Sequence, residues 1–361
     1  MTCGLDVEEG TLTFLDSITS IPQILESMVQ TRSERMAGVA SVVAERKYRR
    51  VVLIGSGSSY NSALAACPLF DRLGIEACPQ FPNQFTTYSS AFDRDALYVV
   101  ISQGGATRLV YKAVEKLQEA GCSVCSITAD VESPIARVAD VAVDMGCGQE
   151  AFLYRTVGVC TTIVTCWQIA LTMGLASGTI DDVSIVEADA AMAAVIASMP
   201  ARQNQAMFWY DEHRFELMRA DYLMCAGADD LWAVAREADI KAMEMVPMIT
   251  RSFELEEIIH GPQNAFDASG AYVIFARRGA DEDKARAIAT FLSEKIGFCA
   301  LVGNAGFGPD DCVFEEANDV FGALEHLTFA QVLAYRLADD HGRDLTRRIN
   351  ADISAYIAKE L

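Results

Sequence analysis

The stretch RRVVLIGSGSSY, from Arg49 to Tyr60, joins a short β-branched run to a loop of glycine and serine. The helical pattern NSALAACPLFDRL follows it directly. Valine and isoleucine favour strands, and small residues before an amphipathic segment indicate a strand-to-helix turn. We predict that the strand ends near Ile54 and that the helix begins near Ser59. In a parallel sheet such a turn lies at the carboxyl end of the strand, where ligands bind.

The same order of elements recurs along the chain. ALYVVISQGGATRLVYKAVEKLQEAG again predicts strand, small-residue loop and helix, and CSVCSIT and DVAVDM predict further strands. The alternation restarts after about residue 219 with DYLMCAGADD, AYVIFARRG and GFCALVG. Alternating strands and helices predict an α/β protein with two parallel, doubly wound, flavodoxin-like sheets flanked by helices. By pattern, the second half is a diverged copy of the first.

This pattern divides the chain into four predicted segments. They are leading helices at 1–48, a first α/β domain at 49–200, a second at 201–345 and a helical tail at 346–361. The stretch from Thr156 to Ile180 has no charged residue and is long enough to cross a membrane. Its six threonines and the central Gln168 instead favour a fully buried helix or a subunit interface.

Composition restricts the classes of partner. The chain carries 29 basic and 50 acidic residues, a net charge of -21, which would repel nucleic acid and anionic membranes. Its eleven cysteines have no regular spacing, and no leader pattern precedes them, so we expect reduced thiols and a cytoplasmic location. Cys122 and Cys125 would face opposite sides of a strand, so we expect no metal site and no cofactor.

Two loops could hold an anion through neutral donors, as an acidic protein requires. Each follows a predicted strand, and together they provide hydroxyl groups, a carboxamide and a flexible backbone. Ordinary turns with serine caps are the alternative. The glycine pattern lacks the third glycine of a dinucleotide site, and no Walker lysine follows it. The candidate anion ligands are Ser58, Ser59, Ser102, Gln103, Gly104, Gly105 and Thr107.

Three further residues are candidates for proton transfer. In ADIKAMEMVP, Lys241 and Glu244 lie three residues apart, hence on one face of a helix. The otherwise apolar stretch around Glu244 predicts a desolvated carboxylate suited to acid/base chemistry, with an exposed ion pair as the alternative. His260 precedes Gly-Pro in EEIIHGPQNAF, where it is either a proton carrier or a residue that contacts the carbonyl groups of a helix end.

Together, the motifs GSGSSYNSA, SQGGAT, QEAFLYRT, IKAMEMV with HGP, and AYRLADDHGRD resemble the tandem sugar-isomerase (SIS) domain family. The resemblance covers roughly residues 20 to 345. It includes the isomerase half of glutamine:fructose-6-phosphate aminotransferase and stand-alone relatives. It implies a small-molecule sugar phosphate as ligand, with Ser58, Ser59, Ser102, Gln103, Gly104 and Thr107 at the phosphate and Gly57, Glu150 and Thr156 nearby.

The resemblance also implies roles for the three proton-transfer candidates. Glu244 would move a proton between C1 and C2 of the sugar, with Lys241 as its helix neighbour. His260 would open the sugar ring, donated across the interface of a homodimer or higher homo-oligomer.

This sequence differs from the family pattern in three places, and each difference limits the reactions that we expect. Only about fifty residues precede the first predicted strand, too few for a glutaminase domain. The tail has Lys359 alone and no lysine near the matching position, so a Schiff base with a protein lysine is not expected. Gly104 and Ala106 replace the serine and glutamate of the usual SQSGET.

Three functions remain open. The stretches FELEEIIHGP and RDLTRRI look more like those of the deglycases, which split fructoselysine or glucoselysine 6-phosphate. A glucosamine-6-phosphate deaminase and a non-catalytic sugar-phosphate sensor are the alternatives. In a deglycase, Glu254, Glu256 and Glu257 could line the site for a lysine ammonium, or they could simply begin a helix.

Overall fold

The computed structural model describes residues 13–361 and contains two parallel β-sheets. Residues 1–12, the start of the predicted leading segment, lie outside the described residues. Thr13 caps the first helix, because its hydroxyl accepts the Asp16 amide while the Asp16 carboxylate accepts the Thr13 amide. The leading helices are Phe14–Gln30 (α1), Arg32–Arg35 (α2) and Ala37–Glu45 (α3).

The first α/β unit has five parallel strands in the order β2-β1-β3-β4-β5. This is the flavodoxin-like order, in which the ligand crevice opens between β1 and β3. A π-helix, Gln84–Tyr88, precedes β3. The elements are Arg50–Ile54 (β1), Ser58–Arg72 (α4), Glu76–Gln80 (β2), Ala96–Ile101 (β3), Arg108–Glu119 (α5), Ser123–Thr128 (β4), Pro134–Val138 (α6) and Val141–Asp144 (β5).

Two long helices connect the units. Val157–Ser177 (α7) is the charge-free segment, and its residues from Val157 to Gly174 are all buried. The prediction of a buried helix is therefore confirmed. Asp182–Met218 (α8) is continuous, so the boundary predicted near residue 200 falls inside a helix. By length and composition alone both helices could cross a membrane, but 89% of the apolar window of α7 is buried within the protein, against 28% for α8.

The second unit has four parallel strands in the order β7-β6-β8-β9. The predicted fold of two parallel sheets flanked by helices is thus confirmed. Strand β7, at the sheet edge, was not among the predicted strands. The elements are Tyr222–Gly227 (β6), Asp230–Met245 (α9), Ile249–Glu254 (β7), Gly270–Phe275 (β8), Glu282–Lys295 (α10), Cys299–Val302 (β9) and Ala323–Asp340 (α11).

Both faces of the first sheet are buried. Along β1, Val51 and Leu53 belong to the large core that includes α7, whereas Val52 and Ile54 belong to a separate cluster with α5. This alternation follows from the two-residue period of a strand. On the core side, α4 packs against both α7 and α9, and α11 packs against α9. Helices of the two units therefore pack directly against each other.

The C-terminal segment is less regular than predicted. Residues 346–361 contain one short 3₁₀-helix, Ala351–Ala355. Ile353 and Ile357 are at least half exposed, so no apolar face docks on the core to stabilise a longer helix. The end of the segment instead forms an antiparallel bridge between Glu360 and Thr107.

Candidate active site

A cavity of about 220 Å³ opens between the two units at the carboxyl end of β1. The loop after β1, the start of α7 and the end of α9 form its walls. Five of the residues singled out from the sequence meet here, namely Gly57, Ser58, Ser59, Gln103 and Glu244. The rest of the lining is Ser56, Ser62, Arg155, Gly158, Val159 and Thr162.

The loop after β1 brings the start of α4 to this cavity. Gly57 has φ 57° and ψ -129°, a conformation that side chains disfavour. Gly55 has no room for a side chain, because a Cβ there would lie 2.8 Å from the Ser59 Cβ. The two glycines therefore permit a tight turn whose following amides begin a 15-residue helix. Such a helix start attracts anions through its free N–H groups and its dipole.

A buried carboxylate lies behind the loop. The Ser58 hydroxyl donates to Glu237 Oε1 at 2.8 Å, and the Asn61 carboxamide donates to Glu237 Oε2 at 2.9 Å. Glu237 is 1% exposed and belongs to α9, so these bonds join the two units at the site. Ser58, which the resemblance assigns to the phosphate, already has a partner within the protein. Glu237 was not predicted, although its position four residues before Lys241 places it on the same helix face.

Lys241 bridges two carboxylates. Its ammonium lies 2.7 Å from Glu244 Oε2 and 3.5 Å from Glu237 Oε1. Burial opposes the charge of Lys241, but the two carboxylates outweigh it and raise the pKa of the ammonium. The Glu244 side chain is 41% exposed, so the expectation of a desolvated Glu244 is wrong. The desolvated carboxyl is Glu237, where burial raises the pKa and Lys241 opposes that shift.

Glu150 supports the site from behind. It accepts the Gln103 carboxamide at 2.7 Å and, at 2.9–3.2 Å, the backbone amides of Thr156, Val157 and Gly158 at the start of α7. The Thr156 amide therefore holds Glu150, and Glu150 holds Gln103, while neither Glu150 nor Thr156 lines the cavity itself.

The second predicted loop does not line the cavity beyond Gln103. The hydroxyl groups of Ser102 and Thr107 lie 2.8 Å apart and bond to each other, and Gly104 also lies outside the lining. The backbone beyond this loop pairs with the C-terminal segment, since the Arg108 amide donates to the Lys359 carbonyl oxygen at 2.9 Å.

Strand β7 separates His260 from Glu244 along the chain. Glu244 is at the end of α9, beside the beginning of β7, whereas His260 follows the end of β7. A six-residue strand spans roughly 20 Å. The His260 side chain is 58% exposed, and its Nε2 lies 3.1 Å from Glu256 Oε1. The structure therefore does not bring His260 into the cavity of its own chain.

The acidic run beside His260 also lies away from the cavity. Glu254 accepts the backbone amides of Glu256 and Glu257, and Glu256 forms an ion pair with Lys284 at 2.7 Å. None of the three carboxylates lines the space beside Glu244.

Arg155 is a further residue that the sequence analysis missed. It is half-buried and adds a positive charge to a lining expected to be neutral. Its position just before the charge-free helix is the sequence signal that could have suggested a role.

A second, larger cavity of about 1040 Å³ adjoins the first. Glu244 is the residue that lines both. The turn between α9 and β7 forms one wall, and residues of the C-terminal segment between Arg348 and Glu360 form another.

The structure has two α/β units, and its small cavity lies at the switch point of the first sheet. Open α/β sheets bind ligands at this position, so the fold places the protein among α/β proteins of this type. Residues 46–173, which include the whole first sheet, match the SIS domain family. This match confirms the resemblance to the SIS family that the motifs implied.

Relatives support the same assignment. Glutamine–fructose-6-phosphate aminotransferase (isomerizing) of Pyrobaculum aerophilum is 25% identical over 303 residues, which are 82% of this chain and 49% of the relative. The chain spans about half the length of the curated relatives it matches.

Solved structures share the fold over nearly the whole chain. The C-terminal domain of glucosamine-fructose-6-phosphate aminotransferase from Francisella tularensis has a TM-score of 0.83 at 17% identity and covers 94% of this chain and 99% of that domain. Glucosamine-6-phosphate deaminase from Thermotoga maritima has a TM-score of 0.74 at 20% identity and covers 93% and 97%. At such identities these likenesses establish the fold alone.

Proposed function

We propose that the protein is a deglycase that acts on an amino-acid-linked sugar 6-phosphate of the fructoselysine or glucoselysine type. One observation carries this proposal. Glu244 lines both the small cavity that contains the serine loop and the larger cavity beside it. A substrate with a phosphorylated sugar at one end and a bulky amine at the other would have its C1 and C2 atoms beside this carboxylate.

The phosphate would bind in the small cavity. The amides that begin α4, the Ser59 hydroxyl and the Gln103 carboxamide provide neutral donors, and Arg155 provides one charge. Such local donors allow a chain of net charge -21 to bind a dianion.

Glu244 would act as the base. It removes a proton from C1 of the open-chain ketoamine while the C2 oxygen gains a proton, which yields an enaminol. Return of a proton to C2, with loss of the proton from nitrogen, leaves an imine between C1 and nitrogen. Water then adds to C1, the C–N bond breaks, and the aldose 6-phosphate and the free amine leave. Lys241 holds Glu244 in place through their 2.7 Å contact.

Ring opening needs an acid/base beside the sugar ring, and we assign it to His260 of a second copy of the chain. Within one chain Glu244 precedes and His260 follows β7, a strand that spans roughly 20 Å. A homodimer that exchanges these regions would bring the two residues together.

Turnover by the Glu244→Gln variant tests the base. The protein is incubated with fructoselysine, glucoselysine and glucosamine 6-phosphates, and sugar phosphate, amino acid and ammonia are measured. We expect the variant to bind sugar 6-phosphate normally and to lose about 10²- to 10⁴-fold in turnover. Glu294→Gln, at an exposed carboxylate on α10, is the matched control.

Each alternative outcome has a distinct meaning. Unchanged turnover by Glu244→Gln would remove Glu244 from the mechanism. Ammonia as the main product of the wild-type protein would identify a deaminase. Binding of sugar phosphate without any product would identify a sensor.

Mixing two inactive variants tests the shared site. Glu244→Gln and His260→Ala chains that exchange at random should recover about a quarter of wild-type activity, because half of the dimers carry one intact site of two. No recovery, with subunit exchange verified by differently tagged chains, would contradict a site shared between copies.

A further inference from the structure

The larger cavity has a wall that is anchored at both ends. The Tyr154 hydroxyl donates to the Arg347 carbonyl oxygen at 3.1 Å, just before this wall begins. At its other end, the Arg108 amide donates to the Lys359 carbonyl oxygen at 2.9 Å. Residues 348–358 therefore cross the cavity between two fixed points, one of which is the backbone that follows the second ligand loop.

The size and walls of this cavity suit an extended organic group. Its volume of about 1040 Å³ is several times that of the 220 Å³ cavity at the serine loop. Ammonia would need no such space beside Glu244, whereas an alkyl chain could pack against the walls. The apolar lining includes Leu153, Met243, Pro247, Met248, Ile349 and Ile353.

The charged residues of the lining favour an anion. Arg348 and Lys359 form no ion pair with any residue of the described range 13–361. Glu360 is the one carboxylate that opposes them, since Glu244 is paired with Lys241. A guanidinium matches a carboxylate through two parallel hydrogen bonds.

We propose that this cavity binds the amine portion of the substrate, and that Arg348 selects an amine that carries a carboxylate, that is, an amino acid. The inference rests on the proposed deglycase function and names its recognition residue. The carbon chain of the amino acid would lie along the methionine and isoleucine side chains. Lys359 would contribute charge at the same end. The selecting group is thus a cation, in place of the carboxylates Glu254, Glu256 and Glu257 expected from the sequence.

The test compares two substrates that differ by one carboxylate. Fructoselysine 6-phosphate is assayed beside the 6-phosphate of the fructose adduct of 1,5-diaminopentane, which has the same carbon chain without the carboxylate. Wild-type protein should show a KM at least about 10-fold lower for the lysine adduct, because hydrogen bonds to charged groups contribute that much.

Arg348→Ala should raise KM for the lysine adduct about 10- to 100-fold, leave kcat within about two-fold, and leave the diaminopentane adduct unchanged. Arg348→Lys should recover part of the loss. The neighbouring Arg347→Ala is the matched control, because its side chain is 86% exposed and faces Asp344. Thermal unfolding of each variant verifies the fold.

Three results would overturn the inference. Equal KM values for the two adducts in the wild type, or an equal rise for both in Arg348→Ala, would do so while the deglycase function stands. Turnover of glucosamine 6-phosphate alone, with neither adduct cleaved, would reject the deglycase function and the inference together.

Discussion

The two α/β units have the same backbone arrangement at the carboxyl ends of their strands, the edge at which such sheets bind ligands. They differ in the side chains that lie at this edge. Gly57, before α4, has φ 57° and ψ -129°, and Asp229, before α9, has φ 55° and ψ -127°. Gly55 and Gly227 precede them by two residues, and neither has room for a side chain. The same turn is thus built once with glycine and once with an aspartate in a disfavoured conformation.

The residues behind the two turns also correspond. Gln103 is the second residue after β3, and Arg277 is the second residue after β8. Gln103 donates to Glu150 at 2.7 Å, and Arg277 donates to Glu316 at 3.2 Å. Arg277 also contacts Asp230, the first residue of α9, at 2.8 Å.

The two edges therefore differ in which donors are free, although a cavity lies at each of them. In the first unit, the loop after β1 and the Ser59 hydroxyl line an open cavity, while the Ser58 hydroxyl donates to Glu237. In the second, Arg277 pairs with Asp230 and Glu316, so the strongest donor at that edge is already satisfied. We expect one sugar-phosphate site per chain.

Removing the charge of Arg277 should produce the largest loss of stability. Arg277→Met leaves Asp230 and Glu316 buried without the guanidinium, with His326 as the remaining partner of Glu316, and should lower the free energy of unfolding by about 3–5 kcal/mol. Gln103→Met at the matching position breaks one hydrogen bond and should lower it by about 1 kcal/mol. Denaturation by urea, followed by circular dichroism, measures both. Equal losses of stability in the two variants would contradict the view that Arg277 is held by buried ion pairs while Gln103 makes a single hydrogen bond.

Copying the second turn into the first should abolish ligand binding. Gly57→Asp places a carboxylate beside the phosphate, and repulsion of a few kcal/mol at about 4 Å should weaken binding at least about 100-fold. Calorimetric titration with fructose 6-phosphate measures the change. Gly57→Ala is the control for backbone strain. If it binds as weakly as Gly57→Asp, strain and not charge is responsible.

Ser59→Ala should weaken binding of the same ligand about 10-fold, because one hydrogen bond to a charged group is lost. Its stability should stay within about 0.5 kcal/mol of wild type, as at other sites free of packing defects. Ser41→Ala, on an exposed turn of α3, should change neither quantity. An unaltered Kd for Ser59→Ala would remove this hydroxyl from the phosphate site.

Copying the first turn into the second should have the smallest effect. Asp229→Gly relieves the positive φ and should raise the free energy of unfolding by about 0.5–1 kcal/mol. Chemical denaturation of this variant beside the wild type measures the gain. A loss of stability would mean that the Asp229 side chain supports the turn more than its backbone strains it.

Much of the fold could be predicted because its signals are local. The first strand ends at Ile54 as predicted, and α4 begins at Ser58, one residue before the predicted start. The regular alternation of elements predicted the parallel sheets. The sequence analysis predicted neither strand β7 nor the irregular structure of the tail. An edge strand and a poorly packed segment depend on few local preferences.

The candidate site was predictable in its parts but not in its assembly. The serine loop, Gln103 and Glu244 do meet at one cavity, as the family motifs implied. The hydrogen bond between Ser58 and Glu237 joins residues that are 179 positions apart in the sequence. No local sequence pattern indicates such a pair. The separation of His260 from Glu244 follows from β7, which the sequence analysis did not predict.

The sequence by itself determined the class of the protein, because strand and helix periodicity and small-residue turns are properties of neighbouring residues. It also indicated which loop begins the helix whose start lines the small cavity. Only the tertiary structure decided which donors stay free and which are used internally. That outcome depends on helices of two units packing together, so that Lys241 and Glu237 are buried beneath one edge while Arg277 is paired at the other.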